Sequence, residues 1–371
     1  MAQSLFARIY YRACCFVLFL VAASVSFNGY YQKWHFAEAD VPGDHSRAAF
    51  EAMVDGTAYR PYVYRQLVPA AANWIDGLVP EAAKSRLFAL QGSGEDAFLY
   101  TISNSPTAND PKYFFRYLTM YILTFLFTQL AVCAMYLVCR AVEMPPVAAV
   151  FAPVIVILLL PYIMSNGGFF YDYVELAFLM LAVWMALKFE WWWLFPVAAL
   201  GTWNKESFLL IVLTLYPLFR LRHSRLGALV GVSVLCCVCL AVYYALRVRF
   251  AHNPGGTVEV WWLDQLRYFM HPREWLFATE ETYGLRLLKA YTLLPMTLLV
   301  WTVWRGWTFL PPAIRQHGKI AAIINIPLYF FFCSPGELRD LSMLYVVFLL
   351  VVAANLREWA KSVAPAGPLV S

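Results

Sequence analysis

The stretch 191–219, WWWLFPVAALGTWNKESFLLIVLTLYPLF, decides the fold. It is apolar on both sides and carries Asn204, Lys205 and Glu206 in its middle. As one helix it would run about 43 Å, well past a hydrocarbon core of about 30 Å. It would also hold two charges near the bilayer centre, where each costs about 2.5–3.5 kcal/mol on insertion scales. Folded back at Lys205, it becomes two arms, 191–203 and 206–219, each about 20 Å long. The tip then ends short of the far headgroups, where non-helical backbone is tolerated only against protein or water. Length and charge burial favour this hairpin over a single span.

The same logic extends outward. Hydrophobic residues make up 61% of the 371 and charged residues 14%, where a soluble domain carries about 25% charged. Further apolar stretches lie near 12–27, 114–139, 147–165, 171–188, 226–247, 286–304, 319–333 and 339–356. With the two arms they make ten predicted crossings. The period-two strands of a closed barrel are absent. The expected fold class is therefore all-α, a polytopic helical bundle with one transmembrane domain over 1–357 and a cytoplasmic tail, 358–371. Arg8 and Arg12 precede the first apolar run, and no small-x-small site follows it, so the run reads as an uncleaved span. Arg8, Arg12, Arg140 and Lys188 place the N-terminus in the cytoplasm. Beyond residue 219 the basic residues divide almost evenly between the two topologies, so charge counting does not decide there.

The net charge of +5 is scattered near span ends rather than gathered in a basic run, which excludes a nucleic-acid partner. The eight cysteines lie in apolar stretches or at the end of one and read as small core residues. No zinc-like Cys/His spacing appears. Two polar segments are long: 28–112, a first external loop, and 248–285, a second. In the hairpin topology both fall on the outer face, together with the turn 165–172, the tip 204–206 and the turn 334–340.

Five groups of residues there can carry chemistry, and each has a plainer reading. Asp40 and Asp44 suit a general base or a divalent cation, or are ordinary loop charges. Arg60 and Arg65, in RPYVYRQLVP at 60–69, suit bidentate phosphate binding, or an interfacial anchor leading into an amphipathic run to Trp74. Asp172 and Glu175 share one face at a helix start, as a site or as a cap favoured by the helix dipole. Lys205 and Glu206 offer a point charge for a phosphate, or a solvated tip. Glu337 and Arg339, in SPGELRD at 334–340, are a site or a turn with local ion pairs. The segment 258–270, with Trp261, Trp262, Leu266 and Phe269, reads as a surface helix with belt aromatics.

The layout resembles the polytopic GT-C class of glycosyltransferases. The likeness rests on the long first external loop, on ALGTWNKES at 199–207 and on RPYVYRQLVP at 60–69. It implies transfer of a sugar from a polyprenyl-phosphate donor to a glycan, lipid or protein acceptor, at the outer face of a bacterial inner membrane. Asp40 or Asp44 would then be the catalytic carboxylate, acting as base or orienting the acceptor, while Arg65, Lys205 and Arg339 neutralise the donor phosphate. Asp172 and Glu175 would bind sugar hydroxyls or a cation. The only cofactor implied is a divalent cation. Membrane lipids are the surrounding partner. Two other classes stay open: a transporter or flippase for a lipid-linked or anionic solute, and a non-catalytic subunit of an envelope polysaccharide assembly complex.

Overall fold

A computed structural model describes residues 2–34, 48–90, 106–165, 167–256 and 260–363. The helices, in chain order, begin with α1 (Ala2–Tyr31), α2 (Phe50–Val54), α3 (Leu67–Leu78), α4 (Glu81–Ala89), α5 (Pro111–Ala141) and α6 (Pro146–Ile163). Next come α7 (Tyr171–Lys188), α8 (Trp191–Asn204), α9 (Phe208–Thr214), α10 (Tyr216–Phe219) and α11 (Arg225–Arg249). The chain closes with α12 (Trp262–Phe269), α13 (Pro272–Phe277), a hairpin of β1 (Thr279–Thr282) and β2 (Leu285–Leu288), then α14 (Leu293–Trp307), α15 (Pro312–Phe332) and α16 (Tyr345–Val363). Among the described residues five helical segments are long and apolar enough to cross a membrane: Ile9–Tyr31, Pro111–Ala141, Pro146–Ile163, Arg225–Arg249 and Leu338–Val363. The protein is a helical membrane protein.

The stretch 191–219 folds back. Helix α8 stops at Asn204, Lys205 is extended (φ −155°, ψ 128°), and α9 starts three residues later. Trp191 opens the stretch, yet its ring stacks on Phe219 at 4.7 Å, and its Nε1 donates to His223 Nε2 at 3.2 Å. The two ends therefore meet. Gly201 permits the tight return, because a Cβ there would lie 2.7 Å from the Phe208 ring. Trp192 and Trp193 point outward at the open end, where amphipathic rings favour headgroup depth.

Helix α7 is the centre of the bundle. It packs against α5 and α8, and its first ten residues, Tyr171 to Met180, are all buried. Asp172 and Glu175 therefore cannot reach solvent, and buried carboxylates need partners from other elements.

Two expected boundaries need correction. The bundle is helical as expected, with one small hairpin among the described residues, in which β1 and β2 pair antiparallel, Thr279 opposite Leu288 and Thr282 opposite Leu285. The apolar stretch predicted to span from 286 therefore begins as a strand, and its helix starts only at Leu293. The last stretch, read as a span from 339, opens with a 3-10 segment, Leu338–Leu344, before the α-helix, and that helix runs on to Val363, past the expected tail boundary. Helices form where surface helices were expected, α3 over Leu67–Leu78 and α12 over Trp262–Phe269. Trp74 on α3 and Leu266 and Phe269 on α12 are exposed apolar residues beside polar neighbours.

Candidate functional site

The break at Lys205 sits among three elements that supply charge. From α8, Asn204 Nδ2 donates to the Tyr171 carbonyl at 2.9 Å, which ties the broken end to the start of α7. The Gln66 amide donates to the Trp203 carbonyl at 3.1 Å, which brings the Arg65 segment onto the same end. Asn325 of α15 donates to the Asp340 carbonyl at 2.7 Å and accepts from the Met343 amide at 3.1 Å, so it clamps the 3-10 segment from both sides.

Lys205 Nζ lies 2.9 Å from Glu175 Oε2, 3.0 Å from Asp340 Oδ1 and 4.0 Å from Asp172 Oδ1. Glu175 Oε1 accepts from Ser207 at 2.9 Å and from Ser342 at 3.0 Å. Arg339 Nη1 reaches both oxygens of Asp172, at 3.3 and 3.2 Å, and its Nη2 pairs with Glu337. Asp172 is held in turn by the Phe169 amide at 2.9 Å. Arg65 donates to the Tyr171 hydroxyl, pairs with Glu206 at 3.5 Å, and lies over the Tyr171 ring at 4.4 Å. Buried ion pairs survive only where geometry and extra hydrogen bonds offset desolvation. Lys205 has both, whereas the Nε atoms of Arg65 and Arg339 stay without a partner.

A cavity of about 770 Å³ opens beside this network. Its charged wall carries Arg65, Lys205, Glu206, Arg247, Glu337, Arg339 and Asp340. Aromatic side chains line it too, Tyr62, Phe169, Tyr243, Trp261 and Tyr329, the first three lying against Arg65, Arg339 and Arg247. Glu206 Oε2 is buried and lacks a hydrogen-bond partner, the only carboxylate oxygen of which this is so among the described residues.

A second cavity, about 1100 Å³, lies between α6, α14, α15 and α16 and is lined almost wholly by apolar side chains. The 3-10 segment separates the two cavities. Leu338, Leu341 and Leu344 face the apolar side, while Arg339, Asp340 and Ser342 face the charged side.

The structure thus brings Arg65, Lys205, Glu206, Glu337 and Arg339 to one cavity. Asp172 and Glu175 join the cluster but stand behind it, gripping Arg339 and Lys205 instead of lining the opening. Arg60 is elsewhere: it does not line the cavity, and its guanidinium donates to the Gly255 carbonyl at 2.8 Å, bracing the second external loop. Asp40 and Asp44 lie outside the described residues, as do 258 and 259. Among the described residues no group of three or more His, Cys, Asp and Glu side chains is arranged to hold a metal ion. Two participants were not singled out from the sequence. Asp340 sat inside the quoted turn, and Arg247 was counted only as a basic residue on the outer side.

No family model matches the chain, and neither a curated protein nor a solved structure is detectably similar to it.

Proposed function

We propose that the protein transfers a sugar from a polyprenyl-phosphate donor to an acceptor hydroxyl at the outer face of the membrane, with ten crossings and both termini inside. The observation that carries this reading is the 3-10 wall. A charged cavity and a long apolar one share a single backbone segment, which suits a substrate with a phosphate at one end and a hydrocarbon chain at the other. The aromatic side chains in the lining suit a sugar ring, whose apolar face packs on aromatic rings.

In this reading the acceptor oxygen forms a bond to the anomeric carbon as the bond from that carbon to the phosphate oxygen breaks. The electron pair leaves on the lipid phosphate. Arg65, Lys205 and Arg339 face the charge that builds there, and donors already in place stabilise it without reorganising. Asp172 and Glu175 position two of those cations. The acceptor proton needs a base. Asp40 and Asp44 have that role by resemblance. Among the described acids we assign it to Glu206, whose free Oε2 faces buried space and whose Oε1 is steadied by Arg65.

The test is transfer of a radiolabelled sugar from polyprenyl-phosphate donors by the purified protein in liposomes. Glu206→Gln should lower transfer at least about 100-fold, the usual scale for a lost general base, at unchanged melting temperature. Full activity in Glu206→Gln would end its role as base, and no transfer by the unaltered protein from any such donor would end the enzymatic reading.

One observation favours a second reading, a transporter or flippase. Five carboxylates (Asp172, Glu175, Glu206, Glu337 and Asp340) surround three paired cations at a helix break, and broken helices with charge at depth also serve transport. Movement of a fluorescent lipid-linked sugar across the bilayer, without transfer, would select it.

A further inference from the structure

Four cations line the charged cavity, and three of them are already neutralised. Lys205 is held by Glu175 and Asp340, Arg339 by Asp172 and Glu337, and Arg65 by Glu206. Arg247 differs. It stands in the last turn of α11 and faces the cavity, yet it makes no ion pair with any described carboxylate; its Nε, like those of Arg65 and Arg339, is buried without a hydrogen-bond partner. What holds it is aromatic: the guanidinium lies 4.6 Å from the Tyr243 ring centre and 5.4 Å from that of Tyr64. Both contacts stiffen the side chain and leave its charge unspent.

We infer that Arg247, steadied by Tyr64 and Tyr243, is an anion subsite of this cavity, and that its ligand is the phosphate of an isoprenyl phosphate. The inference rests on the polyprenyl-phosphate reading above and deepens it. A buried or half-buried guanidinium with a free N–H edge gains most from a planar pair of acceptor oxygens, and phosphate supplies them in the bidentate geometry that arginine favours. The three paired cations would have to give up a carboxylate to do the same. Arg247 has nothing to give up. The paired cations then shape the cavity and meet charge as it develops, while Arg247 takes the phosphate that is charged from the start.

The experiment is calorimetric titration of the full-length protein in nanodiscs with farnesyl phosphate, farnesol and inorganic phosphate. The unaltered protein should bind farnesyl phosphate at least tenfold more tightly than farnesol. Arg247→Gln should weaken farnesyl phosphate binding at least tenfold, leave farnesol binding as it was, and melt within a few degrees of the unaltered protein. Arg247→Lys, which keeps the charge and loses the fork, should fall between. Equal farnesyl phosphate affinity in Arg247→Gln overturns the subsite and leaves the donor reading standing. An unaltered protein that binds farnesyl phosphate no better than farnesol overturns the donor reading, and the subsite with it. Inorganic phosphate bound as tightly as farnesyl phosphate, and lost in Arg247→Gln, would keep the anion subsite but overturn its assignment to a lipid phosphate.

Discussion

Lys33 is half-buried and Lys205 is buried, and they do different work. Lys33, just past α1, donates to the Pro161 carbonyl at 2.7 Å, to Thr282 at 2.8 Å and to Glu280 at 3.0 Å. It has one carboxylate, three acceptors and no charge left over, and it clips the β-hairpin to the ends of α1 and α6. Lys205 meets three carboxylates, two of them shared with other donors, and it faces a cavity. Burial alone does not mark a site. The difference lies in the opening: the network around Lys205 borders a cavity that a ligand can enter, whereas the Lys33 clip is closed on itself.

The comparison can be broken at either lysine, and the larger effect is expected at Lys205. Lys205→Met leaves Glu175 and Asp340 without their cation, and removing one partner of a buried pair typically costs about 3–5 kcal/mol. Thermal unfolding should show that loss, and the folded fraction should transfer no sugar. Transfer at the normal rate would remove Lys205 from the chemistry.

At Lys33 a smaller cost is expected, about 1–3 kcal/mol for acceptors left unsatisfied, with transfer by the folded protein intact. Burial already pushes the Glu280 carboxyl above its ordinary range, so it can go neutral once Lys33 is gone. In Lys33→Met the folded state then resists ionisation that the unfolded chain undergoes freely. The sign follows: the variant loses stability as pH rises above the ordinary carboxylate range, and its deficit should be larger at pH 8 than at pH 5. A deficit that shrinks with rising pH would contradict the clip.

The smallest effect belongs to Asp55, outside the spans, which accepts from Tyr113 at 2.8 Å and from Arg116 at 3.1 Å. Burial pushes its carboxyl up, but these hydrogen bonds outweigh it and hold it below the usual range. Its side chain is 34% exposed, so the pair is worth little. Asp55→Asn should cost at most about 1 kcal/mol by chemical denaturation and leave transfer untouched.

The same contrast explains what the residues disclosed in advance. The break at Lys205 was legible because length and charge both forbid one helix there, and each constraint is local. The i, i+3 pairing of Asp172 and Glu175 on one face was legible too. Their partners were not, because Arg339 and Ser342 arrive from more than 160 positions away. Leu285–Leu288 looked like the start of a span because a short apolar run reads equally as helix or strand. Arg247 carried no signal of its own, because it was one of many basic residues beyond 219 that divide almost evenly between the two topologies.

The account depends most on where the tip of the hairpin lies. Topology reporters fused after residues 190, 223 and 256 measure it directly. The account predicts cytoplasmic signals at 190 and 223 and an outer-face signal at 256. Signals on opposite sides at 190 and 223 would mean that 191–219 crosses the membrane once, and would take the charged cavity away from the outer face.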